Sequence, residues 1–281
     1  MAQLLKGAAV VEVMNEATAN AVDALKARGI TPTLAIVRVG EREDEIAYER
    51  GAMKRCEKVG VAARQVTLPG DCTQDGLVAA IEGLNRDATV HGVLLLRPLP
   101  AHIDDDMVRN VLDPRKDIDG ITDASVAGVF TNDGNGFAPC TPQACMEVLD
   151  YYGVDLQGKR AVVVGRSLVV GKPAAMMLLE RNATVMVCHS RSLDLPALCR
   201  TADVIIACVG RPAMLDATCL APGQTVIDVG INVLDDGTLV GDVDFAAAKD
   251  VVAALTPVPG GVGTVTTSVL VKHVVEAAQV L

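Results

Sequence analysis

Apolar positions along the chain alternate between two spacings. Short β-branched runs at residues 33–39, 62–68 and 92–98 read as buried strands, the last ended by Pro98. Between them the 3.6-residue spacing predicts helices over 44–59, stopped by Gly60, over 73–85, capped by Thr73, and over 104–111. An amphipathic pattern over 1–28 predicts a first helix. Residues 131–136 are polar and glycine-rich and read as a linker, after which Pro139-Cys-Thr-Pro142 opens a new helix. The second half repeats the alternation, with strands at 161–164, 183–188, 204–209 and 225–229, helices at 173–181 and 195–200, and an amphipathic helix at 265–281. Alternating strands and helices predict parallel sheets, hence an α/β protein of two domains. The expected division is 1–138 with 265–281 packing back upon it, and 139–264 in a dinucleotide-binding order.

Composition narrows the partners. Half of the 281 residues are apolar, yet there is no Trp and only three Tyr and three Phe, so the core is aliphatic and each tyrosine invites a question. A formal charge of −10 argues against a nucleic-acid or anionic membrane partner, both of which reward clustered Lys and Arg. No apolar run approaches the ~18 residues of a membrane span. The N-terminus, interrupted by Glu12, Glu16 and Asp23, is unlike a secretory or transit sequence. Eight scattered cysteines without a Cys-x-x-Cys predict no metal site and reduced thiols in the cytoplasm.

The candidate chemistry centres on Ala161-Val-Val-Val-Gly-Arg-Ser-Leu-Val-Val-Gly-Lys-Pro173. A β-branched run, a glycine and a proline in a first helical turn make a strand, a sharp turn and a helix start, the arrangement that offers N–H groups to a phosphate. Neither the G-x-G-x-x-G fingerprint nor the G-x-x-x-x-G-K-[ST] loop matches, so a ligand-free turn fits this stretch equally well. The other strand ends read His189-Ser-Arg191, Gly210-Arg-Pro212 and Gly230-Ile-Asn232, and four such ends converge on one crevice in a dinucleotide fold. Ser190 and Arg191 stand where an NAD site places a carboxylate, which favours NADP. Thr256-Pro-Val-Pro-Gly-Gly-Val-Gly263 is a rigid loop that suits either close approach of a flat ligand or a domain hinge.

Taken together these stretches resemble the methylenetetrahydrofolate dehydrogenase/cyclohydrolase family over nearly the whole chain. The resemblance rests on Tyr48 with Lys54-x-x-Glu57-x-x-Gly60, Pro98-Leu-Pro100, Lys116-Asp-Ile-Asp-Gly120, Pro139-Cys-Thr-Pro142, Gly165 to Pro173, His189-Ser-Arg191, Ile227-Asp-Val-Gly-Ile-Asn232, Gly241-Asp-Val243 and Thr256 to Gly263. It implies a two-domain enzyme, a cytoplasmic homodimer in bacteria, with a tetrahydrofolate derivative between a folate domain and a Rossmann-like NADP domain. By similarity NADP contacts fall on Gly165, Arg166, Ser167, Ser190 and Ile231. Folate contacts fall on Tyr48, Asp119 and the loop Pro259, Gly260, Gly261, Val262 and Gly263, with Tyr48 along the reacting part and Asp119 on the amino-pyrimidine edge.

Two departures are coupled. Bifunctional members carry a lysine one helical turn after the tyrosine and a glutamine before Pro-Leu-Pro that contacts it; here those positions are Ala52 and Leu96. Lys54, two residues on, is rotated by about 200° on a helix and does not replace the lysine. The resemblance with these departures implies a dehydrogenase of weak or absent cyclohydrolase activity.

Overall fold

The computed structural model describes all residues, Met1–Leu281. The chain divides into two compact units, residues 1–12 with 141–266 and residues 13–140 with 267–281.

The larger sheet has six parallel strands in the order Gln3–Leu4, Ala254–Leu255, Thr225–Asp228, Val204–Ala207, Arg160–Val164 and Thr184–Cys188. Its central strands read as unbroken apolar runs because both faces are covered. Val162, Val164, Ile205, Val226 and Leu255 form the core with Cys188, Cys199 and Cys219, which serve as small apolar side chains. Thr184–Cys188 lies at the edge, leaving Met186 and Val187 partly exposed. The first residues depart from the expected division. A two-residue strand pairs Gln3 with Ala254 and Leu4 with Leu255, so residues 1–12 group with the second half rather than the first. The predicted first helix accordingly starts only at Gly7.

The smaller sheet has three parallel strands in the order Ala62–Leu68, Thr33–Val39 and Gly92–Leu95. Helix Glu43–Val59 ends at Gly60, whose positive φ of 81° lets its N–H return to the last turn. Thr73 caps helix Gln74–Arg86 through Gly76 N at 3.2 Å. A side chain at Gly92 would meet Ile118 and Val274 at 2.8 Å, so this strand and the last helix approach closely only through glycine. The last helix, Val262–Val280, starts three residues earlier than its pattern predicts. One helix escapes the pattern altogether. Asp123–Thr131 buries Ser125 and Gly128 and exposes Phe130, the inverse of an amphipathic signal, and only Thr122 at its start marks it.

Candidate active site

In the nucleotide-binding half, Gly165 follows its strand at φ 136°. Any side chain there would run into Cys208, and one at Gly171 would run into the Gly165 main chain. The two glycines therefore fold the turn tightly onto the start of helix Gly171–Glu180. Ser167 Oγ caps that helix, accepting from Val170 N at 3.1 Å and Gly171 N at 3.4 Å. The result is a cavity of about 460 Å³ walled by Gly165, Arg166, Ser167, Ser190, Cys208 and Arg211, among others. No carboxylate lines it. Guanidinium and hydroxyl groups with no acid are the donor set that a ribose 2′-phosphate requires, so these residues fit NADP.

Two expected cofactor residues, Arg191 and Ile231, are not in the lining of this cavity. The turn after Thr184–Cys188 is closed by Ser192 N to His189 O at 2.8 Å and His189 N to Ser192 Oγ at 2.9 Å. It brings Ser192 to the cavity wall and leaves Arg191 exposed outside it. Ile231, 63% exposed, lines a second cavity of about 230 Å³ with Gly230 and the loop 257–264, including Pro259, Gly260, Gly261, Val262 and Gly263. Ile231 thus stands with the glycine-rich loop, not with the Gly165 turn. Gly260, at φ 101°, accepts from Gly7 N at 2.8 Å, which fixes the loop within its own unit.

In the other unit, helix Glu43–Val59 buries Glu45, Glu49, Ala52, Cys56 and Val59 and leaves Tyr48 39% exposed. Burial around the Tyr48 hydroxyl raises its pKa strongly, and the negative potential of Asp119 adds to the shift. Asp119 comes from Lys116-Asp-Ile-Asp-Gly120, whose polar residues divide their labour. Lys116 Nζ donates to Leu84 O at 3.0 Å and Asp87 O at 2.7 Å. Asp117, fully buried, accepts from Ile121 N at 3.0 Å, Thr122 N at 2.8 Å and Ser125 Oγ at 2.7 Å. Both hold the loop. Asp119 lies against Cys140 instead, and burial raises its pKa to about 6, offset in part by the thiol and N–H of Cys140. Gly120 turns at φ 66° directly against residues 137–139, which brings Cys140 up to Asp119. Burial and Asp119 keep Cys140 a neutral thiol.

Ala52 has no exposed surface and Leu96 only 6%. Lys54 lies on the exposed side of the helix and Lys116 is committed to carbonyls, so neither supplies an amine beside Tyr48. The apolar pattern did not single out Glu45. It is buried one turn before Tyr48, its Oε2 has no partner, and burial raises its pKa. Arg211, Asp228 and Asp242 were also missed as individual residues, although Ile227-Asp-Val-Gly and Gly241-Asp-Val carried the signal. No three His, Cys, Asp or Glu side chains form a metal-binding group, and no helix is long and apolar enough to cross a membrane.

Two family descriptions match the chain: "Tetrahydrofolate dehydrogenase/cyclohydrolase, catalytic domain" over residues 5–119 and "Tetrahydrofolate dehydrogenase/cyclohydrolase, NAD(P)-binding domain" over residues 139–281. The chain is 48% identical to the bifunctional protein FolD of Carboxydothermus hydrogenoformans, over 100% of this chain and 99% of that protein. Among solved structures, the bifunctional FolD methylenetetrahydrofolate dehydrogenase/cyclohydrolase of Campylobacter jejuni superposes with a TM-score of 0.96 at 39% identity, covering 99% of each chain. The Trypanosoma brucei dehydrogenase-cyclohydrolase, solved with NADP and an inhibitor, gives 0.91 at 34% identity, covering 99% of this chain and 97% of that one.

Proposed function

Because this chain belongs to the tetrahydrofolate dehydrogenase/cyclohydrolase family, we propose that it oxidises 5,10-methylenetetrahydrofolate to the 5,10-methenyl compound with NADP, and that it hydrolyses the product weakly or not at all. One observation carries this reading: Tyr48 and Asp119 are both present and within electrostatic reach of each other, while Ala52 and Leu96 are buried apolar side chains.

The two reactions ask different things of a protein. Oxidation needs no proton transfer; bound NADP supplies the hydride acceptor, and the chain's task is to orient the reacting carbon. Arg166, Ser167 and Ser190 hold the phosphate-bearing end, Tyr48 lies along the reacting part of the folate, and Asp119 accepts from its amino-pyrimidine edge. Ile231 and residues 259–263 shape the wall where the flat rings approach. Hydrolysis of the methenyl carbon needs a group of tuned pKa to move protons, typically worth about 10²- to 10⁴-fold. Ala52 and Leu96 supply neither the base nor its partner.

A bifunctional reading is favoured by one feature, the Asp119 carboxyl, whose pKa burial raises to about 6, toward the acidity of a proton carrier. Cytoplasmic residence and a homodimer complete the proposal, supported by family resemblance. The test of the dehydrogenase is NADP reduction by purified protein. Reduction that depends on methylenetetrahydrofolate supports the reading; a protein that binds NADP without turnover contradicts it.

A further inference from the structure

Between the two cavities of the nucleotide-binding half lie two buried carboxylates that the reaction does not use, Asp228 and Asp242, 3% and 0% exposed. Asp242 faces no cation. Its Oδ2 accepts from Val209 N at 2.6 Å and Gly210 N at 3.0 Å, and its Oδ1 accepts from Arg211 N at 2.9 Å and Asn232 Nδ2 at 3.0 Å. Three successive main-chain N–H groups at a strand end form an anion-binding nest, and here the protein fills it with its own carboxylate. The neighbouring acid repeats the pattern. Asp228 Oδ1 accepts from Gly230 N at 3.0 Å and Asp242 N at 2.9 Å, and Oδ2 accepts from Val243 N at 3.0 Å.

The network joins the cavities. Val209 and Arg211 line the first, and Asp228, Gly230 and Ile231 line the second. A side chain at Gly230 would collide with the Asp242 carboxylate, and one at Gly241 would collide with that of Asp228. The two glycines and two acids are thus one interlocked device rather than independent turns.

We propose that Asp242 is a positioning residue for the dinucleotide: it locks the Val209–Arg211 strand end on one cavity and, through Asn232 and Asp228, the Gly230–Ile231 corner on the other, so that both ends of the cofactor meet a preset wall. The proposal rests on the NADP reading of these cavities but not on turnover. Because the nest is filled internally, the cofactor's phosphates fall to Arg166, Ser167 and Ser190 at the other strand ends.

The test is NADPH affinity by calorimetry on the full chain, with hydrogen exchange of the 208–212 segment. In Asp242→Asn the amide presents a donor to donors on one side; affinity is expected to fall about tenfold or more and the segment to lose protection. The swap Asp242→Asn with Asn232→Asp restores a donor–acceptor pair between the two residues and is expected to recover several-fold in affinity. Asn232→Ala, which leaves the nest filled, is expected to weaken NADPH binding several-fold and provides the answer if Asp242→Asn does not fold. Unchanged affinity in Asp242→Asn or Asn232→Ala, or a swap no tighter than Asp242→Asn, overturns the proposal. If wild-type protein binds no NADPH, the NADP reading itself fails.

Discussion

The two halves build their binding surfaces from different materials. Around Gly165 the surface is main chain shaped by glycine, with the nest at 209–211 and the capping Ser167 hydroxyl fixing its turns. Around Tyr48 it is side chains on a helix and a loop, held by Asp117 and Lys116 behind them. The contrast teaches where function can be lost. A main-chain site fails through its fold, whereas a side-chain site is open to change one residue at a time with every backbone bond left in place.

The sharpest challenge to the comparison is restoration. Ala52→Lys with Leu96→Gln is expected to raise hydrolysis of methenyltetrahydrofolate by about 10²-fold or more, read as loss of its absorbance. Because position 52 is fully buried, Ala52→Lys alone is expected to lower the thermal midpoint more than the double variant, which gives the ammonium a partner. Next, Asp119→Ala removes the acceptor proposed for the amino-pyrimidine edge and is expected to lower kcat/KM for the folate about 100-fold, with NADPH affinity unchanged. In the other half, Ser190→Ala is expected to raise the KM for NADP about tenfold while leaving that for NAD unchanged, since only the 2′-phosphate loses a donor.

The smallest effect is on stability and has a defined sign. Burial raises the Asp119 pKa from 3.8 to about 6, so its charge opposes folding above that range, and the penalty fades as pH falls through about 6 toward 4. Asp119→Asn is therefore expected to raise the thermal midpoint near about pH 8, with the gain shrinking on acidification. A gain that grows in acid would show that Asp119 is stabilised by Cys140 more than it is penalised by burial.

Much of the architecture was legible because strand runs such as 161–164 and stops such as Gly60 and Pro98 are local signals. The N-terminal strand was not, since two residues carry no periodicity and pair only with Ala254–Leu255, distant in sequence. Which residue of the turn after Cys188 walls the cavity was hidden for a similar reason: the sequence shows which residues form a turn, but the hydrogen bonds between His189 and Ser192 bring Ser192 to the wall. Asp119 and Asp117 look alike in Lys116-Asp-Ile-Asp-Gly120, and only their hydrogen bonds separate Asp117, which holds the loop, from Asp119, which meets Cys140.

The most direct test of the central claim follows the decay of methenyltetrahydrofolate with increasing enzyme, in a buffer where spontaneous hydrolysis is slow, beside NADP reduction on the same preparation. The expected result is NADP reduction that scales with enzyme and a decay rate that does not. Enzyme-dependent decay as fast as NADP reduction would contradict it.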